Sequence, residues 1–175
     1  KIWLDKHGFG LTTKRLAFRH ATLFGNINIL RALHHYFKDT QICQDIVLHQ
    51  ASIHGHSQII KWLFHNVKGV NIHKPNDAGF TPFSLASLNG QIECSKYLYS
   101  IGANVSTPNN EGITPLMRAL IDNEFLLAEW LLQVGAVQDM FKVDSQGRTP
   151  LFLANEERNF EAIKWIILHF GIILG

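Results

Sequence analysis

The 175-residue chain has only two cysteines, Cys43 and Cys94, and these cannot form the disulfide framework of a small secreted scaffold. They fit a reducing compartment, so a cytoplasmic or nuclear location is expected. Net charge is also low. A formal value of +2 is too small to argue for nucleic acid or an anionic membrane surface. No apolar run approaches the roughly 18 residues of a membrane span. The nearest is "IKWIILHFGIILG" at the C-terminus, which is short and interrupted by Lys164 and His169. Disorder is excluded as well, since 46% hydrophobic against 17% charged residues is enough to build a core.

The usual signatures of catalysis are missing. There is no G-x-G-x-x-G, Walker A, G-x-S-x-G or H-E-x-x-H pattern. The paired acids Glu156 and Glu157 are consecutive and point different ways on a helix. His49, His54 and His56 lie close in sequence, but three imidazoles bind zinc only if their rings converge. Cys94 falls at a core position and reads as a small buried hydrophobe, while Cys43 sits in a loop with no partner base at a useful spacing. No catalytic residue, metal ligand or cofactor is therefore expected. The chain opens on Lys1 without a signal-peptide pattern, which leads us to expect a piece of something longer.

What the chain does contain is repetition. "GFTPFSLASLNGQ", "GITPLMRALIDNE" and "GRTPLFLANEERN" share one skeleton. Anchored on Ala21, Ala51, Ala86, Ala119 and Ala154, the units are spaced by 30, 35, 33 and 35 residues. A period near 33 means a stack of like units, each unable to bury its apolar face alone. Thr81-Pro82, Thr114-Pro115 and Thr149-Pro150 each read as a helix N-cap followed by the residue best tolerated at the first helical position. Gly25, Gly55 and Gly90 end that helix where a left-handed residue is needed, and Asn123 substitutes for them. Arg158 does so only at a cost, so a shifted turn with Asn159 in that role is expected in the fifth unit. The second unit lacks Thr-Pro, Asp45 is its expected cap, and the 30-residue spacing suggests a truncated preceding hairpin. Ile27, Ile29, Leu30 and Leu33, then Ile59, Ile60, Leu63 and Phe64, predict the buried faces of second helices.

These residues resemble the ankyrin repeat family, whose pattern is matched by the Thr-Pro pairs, Leu48-His49, Gly55-His56, "SIGANV" and "QVGAV" over roughly residues 15 to 170. The resemblance implies an all-α-dominated solenoid of about five units, each a β-hairpin plus two antiparallel helices, with degenerate terminal repeats. Residues 1–14 are then a preceding segment, and the units run approximately 15–43, 44–76, 77–109, 110–144 and 145–175. His49 and His56 fall where the family uses histidine to tie turns and neighbouring repeats. Asn71 in "GVNIH" resembles a hairpin asparagine that can be hydroxylated, but Gly69 stands where an acid is usual, and no modification is expected.

The resemblance implies a non-catalytic module that holds a protein partner on its concave face. The family's variable positions map to Leu23 and Phe24, Ile53 and His54, Leu88 and Asn89, Ile121 and Asp122, and Glu156 and Glu157, with Phe80, Ile113 and Arg148 in the hairpins. The first of each pair, Leu23, Ile53, Leu88, Ile121 and Glu156, forms an apolar stripe over four units that ends in acid, with Glu129 and Asp144 nearby. A peptide or helix of apolar and then basic character is the expected partner. Lys14, Arg15, Arg19 and His20 read as a solvated face without the interleaved aromatics of a single-strand binder, so no nucleic acid is expected. The alternatives are the substrate-recruiting part of a larger enzyme or secreted bacterial effector acting in a host cytosol, and a structural cap buried by neighbouring domains. The apolar C-terminal unit predicts either continuation into further repeats or domains, or an interface.

Overall fold

The computed structural model of the chain describes residues 10–37 and 44–171. Five helix pairs follow one another: α1 (Leu11–Leu23) with α2 (Ile27–Tyr36), α3 (Gln44–Ile53) with α4 (Ser57–Asn66), α5 (Pro82–Leu88) with α6 (Ile92–Ser100), α7 (Pro115–Ile121) with α8 (Phe125–Gln133), and α9 (Pro150–Glu156) with α10 (Phe160–Phe170). A 3₁₀ helix, Ala136–Phe141, precedes the last pair. Each first helix packs on its own second helix and on the first helix of the next unit. The five anchor alanines are all buried at these contacts. A larger side chain there would force neighbouring helices apart, at a cost of about 1–3 kcal/mol.

The local signals act as expected at the Thr-Pro sites. The hydroxyls of Thr81, Thr114 and Thr149 accept from the backbone N–H groups of Ser84, Met117 and Phe152, at 3.2 to 3.3 Å. Each such cap contributes about 1 kcal/mol. The turn after each first helix is identical in all five units. The anchor carbonyl accepts from the residue five places on: Asn26, His56, Gln91, Glu124 and Asn159, all at 2.8 to 2.9 Å. Closing that bond requires a left-handed residue just before the donor, and Gly25, Gly55, Gly90 and Asn123 supply it.

The fifth turn corrects the expectation. Arg158 itself is left-handed, at φ 55°, and the turn is not shifted. Asn159 instead caps α10, its Oδ1 accepting from Ala162 N. The repeated geometry overrides the local preference of one arginine. Asp45 is likewise not a cap: it lies inside the first turn of α3 and pairs with Lys74. The truncation expected before α3 and the loop residue Cys43 fall within 38–43, outside the described residues.

No strand occurs among the described residues, so the expected β-hairpins are tight loop tips. Two backbone bonds close each tip: Asn76 N to Phe80 O with Gly79 N to Asn76 O, Asn109 N to Ile113 O with Gly112 N to Asn109 O, and Asp144 N to Arg148 O with Gly147 N to Asp144 O. The side chains explain why no ladder extends. Asn76, Asn109 and Asp144 each accept from the N–H groups two and four residues on, so those donors are occupied within the tip.

Two apolar second-helix residues differ from the sequence reading. Ile29 is exposed, although its counterparts Ile59, Cys94, Leu127 and Ala162 are buried. Phe64 is exposed on the outer surface, as Tyr99 is. The first helix also starts earlier than residue 15, at Leu11. Lys14 in it lies over the Phe37 ring, 5.1 Å from its centroid, while Arg15 and Arg19 are exposed.

Candidate functional site

Because the first helices stack side by side, the positions two places after each anchor follow one another along the array. They are Leu23, Ile53, Leu88, Ile121 and Glu156. Bonds from side chains of one unit to backbone carbonyls of the preceding one hold this row in register. His56 Nε2 lies 3.1 Å from the Leu23 carbonyl oxygen, and the Asn159 side-chain amide donates to the Ile121 carbonyl at 3.0 Å. Ile53, Leu88 and Ile121 are half-buried, and Leu23 is exposed. The row is thus apolar over four units, partly packed and partly open.

The neighbouring positions are more exposed. Phe24 is 76% accessible, and His54, Asn89, Asp122 and Glu157 are all on the surface. Phe80, Ile113 and Arg148, in the loop tips, are half-buried. Asn89 spends an amide hydrogen on its own helix, donating to Leu85 O at 2.8 Å.

The acidic end is weaker than its formal charge. Asp122 is gripped by Arg118, with Nε to Oδ2 at 2.7 Å and an Nη to Oδ1 at 2.9 Å. Arg148 bridges Asp144 and Glu156, both at 2.7 Å. Asp144 is buried under that guanidinium. Burial alone would push its carboxyl up, but the Arg148 side chain, the backbone N–H groups of Arg148 and Gln146 and the Arg148 charge together hold it below the usual carboxylate range. Donating to the Asp144 carboxylate in turn raises the basicity of Arg148. Three of the five acids read as a docking surface are therefore already paired, sharing the two guanidinium groups of Arg118 and Arg148. Glu129 sits on α8, a second helix, away from the row. Sequence reasoning missed Arg118, though its spacing of four from Asp122 is a legible helical pair.

The histidines serve the stack. His49 Nε2 lies 2.9 Å from Lys74 O, and His56 reaches back to Leu23. Among the described residues, no three His, Cys, Asp or Glu side chains are grouped to hold a metal ion. Cys94 is fully buried, and its thiol is pushed up to about 11, by desolvation first and by the neighbouring Glu93 charge second. It packs as a hydrophobe.

No helix among the described residues is long and apolar enough to cross a membrane. Among curated proteins, none matches the chain. The family model for ankyrin repeats, in its three-copy form, matches residues 18–109 and 102–173. Stacked helix pairs, five identical turns and a family match over nearly the whole length lead to one conclusion: the chain belongs to the ankyrin repeat family, whose arrays are protein-interaction scaffolds.

Proposed function

We propose that the chain is a non-catalytic module that binds a protein partner along the row Leu23, Ile53, Leu88 and Ile121, on the concave face of the array. The observation that carries this reading is the row itself. It is an apolar line over four units, kept in register by His56 and Asn159, and left partly open to solvent. Burying such a line returns about 25 cal/mol per Å² of apolar surface. The partner presents apolar side chains to the row and basic ones to the exposed Glu156 and Glu157. Arg148 already holds Glu156, so the basic contact contributes less than the apolar one. A reducing compartment, cytoplasm or nucleus, is the proposed location, in keeping with the buried free thiol of Cys94.

A double variant, Leu88→Asp with Ile121→Asp, tests the reading once circular dichroism shows that it folds. Loss of a captured partner supports docking on the row, and an unchanged partner removes it. Charge reversal at Glu156 and Glu157 tests the acidic end separately. Unaltered affinity there would discard the basic half of the partner.

One observation favours a second reading, in which the module recruits substrates for a larger enzyme or effector. The C-terminal unit exposes Phe152, Phe160 and Leu168, which suits an array continuing into further structure.

A further inference from the structure

The units can be compared with one another, and the fifth differs from the third and fourth on the face beyond its loop tip. In the third unit, a Cβ on Gly79 would lie 2.4 Å from Asn110 N of the next tip. In the fourth, a Cβ on Gly112 would lie 2.8 Å from Ser145 N. The same donors reach back to the preceding tip: Asn110 N to Ala78 O at 3.1 Å, and Ser145 N to Glu111 O at 2.8 Å. The fifth unit has the same tip and the same left-handed glycine, Gly147 at φ 78°. Nothing lies within 4 Å of the Cβ position there, and Gln146 O accepts no backbone bond among the described residues.

The side chains follow suit. Phe83 and Leu116 are fully buried, but their counterpart Leu151 is only half-buried. Met117 is fully buried, whereas Phe152 at the same place is 53% exposed. Beside them is an apolar cleft of about 180 Å³, lined by Met140, Phe141, Thr149, Leu151, Ile166 and Phe170. A solenoid end that faced water would carry polar residues here.

We propose that this face seats a further helix-pair repeat, following α10 in the same polypeptide, whose loop tip packs on Gly147 and donates a backbone N–H to Gln146 O. The surface continues the interfaces already formed between the third and fourth and the fourth and fifth units. The exit of the chain fits. Gly171 is left-handed directly after α10, and Gly102 and Gly135 are left-handed one residue further on after α6 and α8, so all three helices end in a glycine turn. A second copy of this chain stacked head to tail does not fit. At its opposite end, residues 11–16, which correspond to the tip of the fifth unit, are the first turns of α1 and present no loop tip. The inference is independent of what docks on the row of first helices.

The test appends a copy of residues 136–170 after Gly171 and compares the extended chain with the 175-residue chain, each with and without Phe152→Asp. Calorimetry of the extended chain is expected to show one transition, about 5 °C or more above the parent. Phe152→Asp is expected to leave the parent melting temperature unchanged and to abolish the gain in the extended chain. Hydrogen exchange is expected to show the appended Ser145 amide protected. Two separate transitions with the parent one unmoved, or an equal effect of Phe152→Asp in both chains, would overturn the proposal. So would a dimer of the parent chain, seen by sedimentation, that Phe152→Asp dissociates, because a second copy would then be the occupant.

Discussion

His56 Nε2 lies 3.1 Å from the carbonyl oxygen of Leu23, thirty-three residues earlier. One ring therefore links a turn to the backbone of the candidate binding row. In the tautomer protonated at Nε2 the ring donates to that carbonyl. His56→Ala is expected to lower stability by about 1 kcal/mol, the net value of one such bond. Urea unfolding reads this directly, as a lower midpoint at unchanged slope.

Arg158 is left-handed because the fifth turn copies the other four. Replacing it by glycine removes the steric cost of that conformation while keeping the bond from Asn159 N to Ala154 O. Arg158→Gly is expected to raise stability by about 0.5–1 kcal/mol. Unfolding in urea again supplies the measurement, and a loss of stability would contradict the strain.

Asp144 predicts the acid response. Its folded carboxyl is held below the ordinary range, so the unfolded chain binds more protons as pH falls through the carboxylate region. The stability it provides is full above the unfolded value of about 3.9 and is lost as pH drops through the lower folded one. Melting temperature should therefore fall between pH 5 and pH 3 less steeply in Asp144→Asn than in the parent. The asparagine also preserves the tip, since Asn76 and Asn109 make the same bonds in their units. Asp144→Ala is expected to be the more destabilising of the two.

Cys94 predicts the alkaline response, with the opposite sign. Its thiol is raised to about 11, so above the unfolded value of about 8.5 the unfolded chain loses a proton that the folded one keeps. That share of stability is present below pH 8.5 and disappears as pH rises toward 11. Cys94→Ala should flatten the decline over this range. In the folded parent, Cys94 should also react with a thiol reagent far more slowly than in urea.

Which features were legible in the sequence follows from how local their causes are. Thr81, Thr114 and Thr149 cap their helices through atoms three residues away, and the anchor alanines recur because every unit meets the same neighbour. Arg158 was misread because its conformation is imposed by the stack rather than by its own preference. The pairing of Asp122 and Glu156 depended on the rotamers of Arg118 and Arg148. An aromatic line at one position of the second helices, Trp62, Tyr97, Trp130 and Trp165, was present in the repeat pattern but passed unnoticed. It packs between units, with Trp130 beside Phe83 and Trp165 stacked on Phe125. The exposure of Phe152 emerged only from comparison with the burial of Met117.

The claim that a partner docks on the row of first helices is tested most directly by cross-linking. A photoreactive side chain is placed at Leu88, in the row, or at Lys96, exposed on the second helix α6. The account predicts a covalent adduct with a protein partner from Leu88 and none from Lys96. An adduct from Lys96 alone would contradict it and move the binding surface to the opposite side of the array.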